Sequence, residues 1–154
     1  MADAPKFTLT IRVPDADIDR QGHVNNVAFV RYVQEAAVAH WRSIASTEIQ
    51  TAFTWVVRRH EIEYLRPAFP GEELTLRTWV GEPSGATWER LTEVLRAGEE
   101  KPLVAARTVW VLIDAATGRP RRVDPAMVEQ FMKSDRGFTK ARKNAVQAAA
   151  ATSE

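Results

Sequence analysis

The chain has no cysteine among its 154 residues, which excludes disulfides, thiolate nucleophiles and cysteine-ligated zinc or iron–sulfur sites. It has almost no net charge, +1 from 21 basic and 20 acidic side chains, so neither nucleic acid nor an anionic membrane is implied as a partner. No apolar run approaches the ~20 residues of a membrane span. The opening Met-Ala-Asp-Ala-Pro-Lys lacks the basic start and apolar core of a signal peptide, so the expected compartment is the cytoplasm. The only histidines, His23, His40 and His60, lack metal-ligand spacing, and no metal is expected. A glycine-rich phosphate loop is also missing. What remains is an ordinary globular composition, 45% apolar and 27% charged. A chain of this length forms one domain that buries roughly 70% of its unfolded surface.

The polar groups concentrate in one place. Asp15 to Asn26 packs three acids, His23 and three amides between a strand-like segment and an apolar helix. Phe7, Leu9, Ile11 and Val13 alternate with polar residues, the pattern of a strand buried on one face, and Pro14 ends it. From Val27 to Trp41 the chain is apolar and free of Gly and Pro, which predicts a helix from about Asn26 to Ser46 with Asn26 as N-cap. Apolar groups surround most of its circumference, so it is expected to be buried rather than half-exposed. A carboxylate just ahead of a helix start lies beside free backbone N–H groups, a setting that suits chemistry in which negative charge develops.

Strands follow at hairpin spacing: Phe53–Leu65, Leu74–Val80, Ala86–Arg96 and Leu103–Asp114, separated by Pro70-Gly71, Pro83-Ser84-Gly85 and Ala97-Gly98. A short strand is predicted around Arg121–Val123, and Asp124-Pro125 opens a last helix over Ala126–Met132. One long helix enclosed by an antiparallel sheet is an α+β arrangement. The expected domain covers 1–132, with a basic, then Ala-rich tail over 133–154 as a frayed helix or disordered extension.

The run Asp17-Ile18-Asp19-Arg20-Gln21-Gly22-His23-Val24-Asn25-Asn26, with Tyr32 and Glu35 on the helix, resembles the signature of the 4-hydroxybenzoyl-CoA thioesterase-like family of hotdog-fold proteins. A second block fits the same family: Val56-Val57-Arg58, Ile62-Glu63-Tyr64-Leu65-Arg66-Pro67 and Gly71-Glu72-Glu73-Leu74. The resemblance runs from about Phe7 to Met132. It implies a hotdog fold, a long central helix wrapped by a curved antiparallel sheet, assembled as a homodimer or homotetramer. It also implies an acyl-CoA thioesterase that releases a carboxylate and coenzyme A and needs no cofactor.

The resemblance assigns Asp19 the catalytic carboxylate, as nucleophile or general base. Taken alone, acids beside Pro and Gly are common turn formers. Asp17 is expected only to orient the loop. Gly22 supplies backbone freedom, by close approach to substrate or positive φ. The backbone N–H near Asn26 is the implied oxyanion donor, and His23 would bond the leaving thiolate, steer the carbonyl or hold the loop. Asn25 or Asn26 caps the helix. Phe29, Tyr32 and Val33 line an acyl tunnel or are plain core; Phe29 stands where the family often has Tyr, so a hydroxyl is lost. Arg58, Arg66 and the cluster Arg119-Pro120-Arg121-Arg122 are candidates for the coenzyme A phosphates. Glu35 is the rival carboxylate on the helix. The alternatives are a thioesterase for acyl carrier protein substrates and a non-catalytic module that binds acyl-CoA.

Overall fold

The computed structural model describes residues 4–133. Five strands, β1 (Phe7–Arg12), β2 (Phe53–Tyr64), β3 (Glu73–Ser84), β4 (Thr87–Arg96) and β5 (Pro102–Asp114), form one antiparallel sheet in the order β1-β3-β4-β5-β2. A helix of 19 residues, α1 (Asn26–Ile44), lies on it, packed mainly on β3, β4 and β1. The shorter α2 (Thr47–Ala52) and α3 (Pro125–Lys133) flank the C-terminal half of α1. This is the expected α+β architecture of a hotdog fold.

Period-two patterning explains the sheet. On β3, Leu74, Leu76, Thr78 and Val80 are buried while their neighbours are not, and Val94, Thr92, Arg90 and Trp88 continue that inner face on β4. On β2 the alternation is interrupted by a bulge between Val57 and Arg59, so Arg58 and Arg59 are exposed in succession.

Four expectations need correction. The predicted helix to Ser46 stops at Ile44, because Ala45 is extended and Ser46 caps a separate helix through Ile49 N–H. The N-cap is Asn25, not Asn26: its Oδ1 accepts from Val27 N at 2.7 Å. Within the protomer α1 is buried on one side only, with Val27, Arg31, Gln34 and Arg42 forming an outward stripe. No strand forms over Arg121–Val123; Pro120 makes one bridge to Ile113, and Val123 N–H then bonds Gly85 O. The tail expected over 133–154 lies, beyond Lys133, outside the described residues.

Two clusters make up the core, one at each end of α1. Leu9, Phe29, Tyr32, Leu74 and Leu103 belong to the cluster toward its start, which reaches along the helix to Phe7, stacked on His40 at 4.9 Å. Val80, Trp88, Leu112, Met127 and Phe131 pack near its end, where α3 closes the sheet.

Candidate active site

Residues 17–25 form a small hairpin ahead of α1. Asn25 N–H bonds Asp17 O, Ile18 pairs with Val24, and Asp19 N–H bonds His23 O at 3.0 Å. Arg20, Gln21 and Gly22 are its tip, and Gly22 takes φ 87°. That matches the three-residue hairpin loop whose last residue is left-handed. Nothing in the protein lies within 4 Å of a Cβ built on Gly22, so the conformation, not crowding, is what needs glycine here.

The hairpin register sets Asp19 and His23 opposite each other. Asp19 Oδ1 accepts from Gln21 N–H at 2.9 Å, and Oδ2 lies 3.8 Å from His23 Nδ1. Both side chains are about one-third exposed (31% and 34%), so the pair is reachable from solvent. One step on, the first turn of α1 begins. Val27 N–H is taken by Asn25 Oδ1, and Ala28 and Phe29 N–H by Asn25 O. Asn26 N–H alone in this turn donates to nothing among the described residues. The site therefore joins a carboxylate, an imidazole and an open backbone donor at the positive end of a helix dipole.

Asp17, two residues before Asp19, serves a different purpose. It is buried and accepts from the Tyr32 hydroxyl and the Arg31 guanidinium. Burial would raise its carboxyl, but these two bonds outweigh that effect and hold it below the usual carboxylate range. Burial, and then the same bond, pushes the Tyr32 phenol well above its ordinary value. Asp17 thus rivets the hairpin to α1. Glu35, expected in an apolar setting, is instead partly exposed and paired with Arg31 Nε at 3.3 Å.

The second sequence block builds the shelf under the hairpin. Val24 N–H bonds Ala68 O at 2.9 Å, and His23 meets the ring of Phe69 edge-on at 6.5 Å. Arg96 holds this shelf through Glu72, Glu99 and Pro67 O. Arg66 is engaged there too, by Glu99 at 3.3 Å and by Lys101 O. Arg58 is exposed at the β2 bulge and makes no hydrogen bond or ion pair among the described residues. Phe29 and Tyr32 are packed in the protomer core, with ring centroids 5.8 Å apart.

Sequence reasoning passed over the apolar surface beside the site. Tyr64 donates to Asn26 O at 3.2 Å and contacts Phe29, while Val27, Leu65 and Phe69 are large, exposed apolar residues around the helix start. Their signal was only a failure of alternation at the end of β2. Among the described residues no three His, Cys, Asp or Glu side chains group as metal ligands. No helix there is long and apolar enough to cross a membrane.

A family model described as the thioesterase-like superfamily matches residues 13–131. Among solved structures, a thioesterase from Thermus thermophilus complexed with coenzyme A and zinc is 26% identical (TM-score 0.71, covering 83% of this chain and 98% of that one). A probable thioesterase from Bartonella henselae is also 26% identical (TM-score 0.66, 78% and 98% covered). At 20% identity, a 1,4-dihydroxy-2-naphthoyl-CoA thioesterase from Synechocystis shares the fold (TM-score 0.73, 86% and 100% covered). Among curated proteins no sequence matches this chain.

Proposed function

This chain belongs to the thioesterase-like superfamily, and within that class of thioester hydrolases we propose that it acts on acyl-CoA, with Asp19 as the catalytic carboxylate. The observation that carries the reading is the juxtaposition at the start of α1: Asp19 and His23 facing across a hairpin, with the open Asn26 N–H one step beyond. Coenzyme A as the thiol partner is supported by the Thermus neighbour that holds it.

Hydrolysis can run through Asp19 in two balanced ways. As general base, its carboxylate takes a proton from water while the resulting hydroxide adds to the thioester carbon. As nucleophile, it forms an anhydride with the acyl group, which water then opens to regenerate the carboxylate. In both, the carbonyl oxygen gains charge that Asn26 N–H accommodates, and the thiolate leaves as coenzyme A after protonation. A donor of this kind is typically worth about 2.7–4 kcal/mol in the transition state. His23, 3.8 Å from Asp19, is placed to orient it or to protonate the departing sulfur. Asn25 serves as the helix cap and Gly22 as the turn. Arg58 is the better placed of the two arginines in the second block to meet coenzyme A phosphates, since Arg66 is engaged by Glu99 and Lys101 O. The unpaired edge of β2, 12 residues long, favours a homodimer joined edge to edge. A coenzyme A substrate and the lack of cysteine fit the cytoplasm.

The test is coenzyme A release from aliphatic and aromatic acyl-CoAs, read with a thiol-reactive dye; the protein has no cysteine to react with it. Turnover on at least one substrate is expected. Acyl-CoA binding without release on any member would convert the reading to a binding module, and release from acyl carrier protein alone would move the thiol partner.

A further inference from the structure

Glu72, from the second sequence block, lies in the shelf beneath the hairpin, and its contacts converge on His23. The imidazole is loosely held by the hairpin itself. Its Nδ1 lies 3.8 Å from Asp19 Oδ2, beyond hydrogen-bond reach, and the ring is about one-third exposed. A pair at that distance and exposure does little to fix a ring that turns about two single bonds.

The second constraint on His23 comes from the shelf. Phe69 meets the imidazole edge-on, with ring centroids 6.5 Å apart and planes at 75°, a favoured arrangement of two aromatic rings. Phe69 is itself 44% exposed, so burial does not hold it in place. A closed set of hydrogen bonds does. Phe69 N–H donates to Glu72 Oε1 at 2.6 Å, and Glu72 N–H returns to Phe69 O at 3.3 Å. Gly71, at φ 75°, makes the turn between them. Arg96 grips both carboxylate oxygens of Glu72 and donates to Pro67 O at 3.0 Å. Its guanidinium holds the Glu72 carboxyl below the usual carboxylate range, so the acceptor stays charged at neutral pH. The same loop reaches the hairpin and the end of β1 through the backbone. Val24 N–H, next to His23, bonds Ala68 O, and Val13 N–H bonds Glu72 O, each at 2.9 Å. His23 is therefore tied to this loop twice, by its neighbour's backbone and by its ring, and Glu72 is the side chain that closes the loop.

We propose that Glu72 is a positioning residue that, through Phe69, sets the imidazole of His23 beside Asp19. Its kinetic consequence rests on the reading of Asp19 and His23 as the reacting pair; its structural consequence does not. Glu72 touches no reacting atom. It acts by ring placement, and a displacement of about 1 Å at a reacting group can cost on the order of a hundredfold in rate.

Imidazole NMR and a double-mutant cycle, both on the full chain, test it. Glu72→Ala shifts the ring-proton resonances of His23, identified as those absent from His23→Ala, because the Phe69 ring moves away. Where Glu72→Ala fails to fold, Glu72→Gln, which keeps an acceptor but loses the charge Arg96 pairs with, gives the same shift at smaller amplitude. On the best acyl-CoA, Glu72→Ala and Phe69→Leu each lower kcat about tenfold, with KM within about twofold of wild type. In the His23→Ala background the same substitutions change kcat by less than about twofold. His23 resonances unmoved by either Glu72 variant, or equal losses of kcat in both backgrounds, would overturn the proposal. Absence of turnover in the wild type would contradict the acyl-CoA reading instead, and the His23 resonances would still decide the placement.

Discussion

The two ends of α1 use polar groups in opposite ways. At its start the polar groups are reachable and incompletely paired: Asp19 and His23 are about one-third exposed, Asn26 N–H is open, and apolar Val27, Leu65 and Phe69 face outward. At its end they are sealed: His40, Thr78 and Arg90 are all buried among tryptophans and Phe131. The same contrast occurs over two residues of the motif itself. Asp17 is buried, with Oδ2 accepting from both Arg31 and Tyr32, while Asp19 is about one-third exposed with Oδ2 facing His23. A carboxylate that holds structure spends its lone pairs on donors, and one that reacts must keep some free. Position relative to the helix cap decides which is which.

The sharpest test of the sealed end is its acid response. Folded His40 is held down to about 2, far under its ordinary 6.5, so the unfolded chain takes up the proton first. Stability is then lost as pH falls below 6.5, by about 1.4 kcal/mol per pH unit, or roughly 2–3 kcal/mol by pH 4.5. Urea midpoints at pH 7, 6 and 5 read this directly. His40→Asn, which keeps an acceptor for Arg90, flattens the slope; a wild type already flat over that range contradicts it.

Asp17→Asn addresses the rivet between hairpin and helix. Loss of a charged acceptor shared by Tyr32 and Arg31 costs about 2 kcal/mol, discounted because Arg31 is half-exposed. The melting temperature drops by about 4–8 °C. Since the Asp17 carboxyl is held low, its contribution is present above 3.8 and lost as pH falls through its folded value. The deficit of the variant against wild type therefore narrows in strong acid, which melting curves at pH 7 and pH 3 compare.

Asn25→Ala is the smallest of the three. Losing the cap that Val27 N–H uses costs about 1 kcal/mol of stability. The variant also frees a second N–H beside Asn26, so its kcat is expected to fall less than tenfold. A thermal melt beside an initial-rate assay separates the two effects.

How much of this was legible beforehand follows from the range of the forces involved. Strands β2 to β5 were readable because alternation and turn residues are local, and their bounds came within a few residues. The hairpin was readable as a motif, and its glycine as a candidate for positive φ. The break at Ala45 was not, because no Gly or Pro marks it and only Ser46 capping Ile49 reveals a second helix. The exposed stripe on α1 was missed because apolar residues such as Val27 hide which side faces the sheet. Arg66 could be named as a cation, but its engagement with Glu99 and Lys101 O depends on a hairpin some 35 residues away. Arg90, at a strand position that reads as one more alternating charge, turned out to face inward. Only the register of β3 against β4 places it opposite Val80 and beneath α1.

The central claim is that Asp19 performs the hydrolysis, and coenzyme A release by wild type against Asp19→Asn on the best acyl-CoA tests it most directly. A folded variant whose turnover is at least a hundredfold lower, about 2.7 kcal/mol of lost transition-state stabilisation, is the predicted result. Equal rates in the two proteins would contradict it and move the chemistry away from the hairpin.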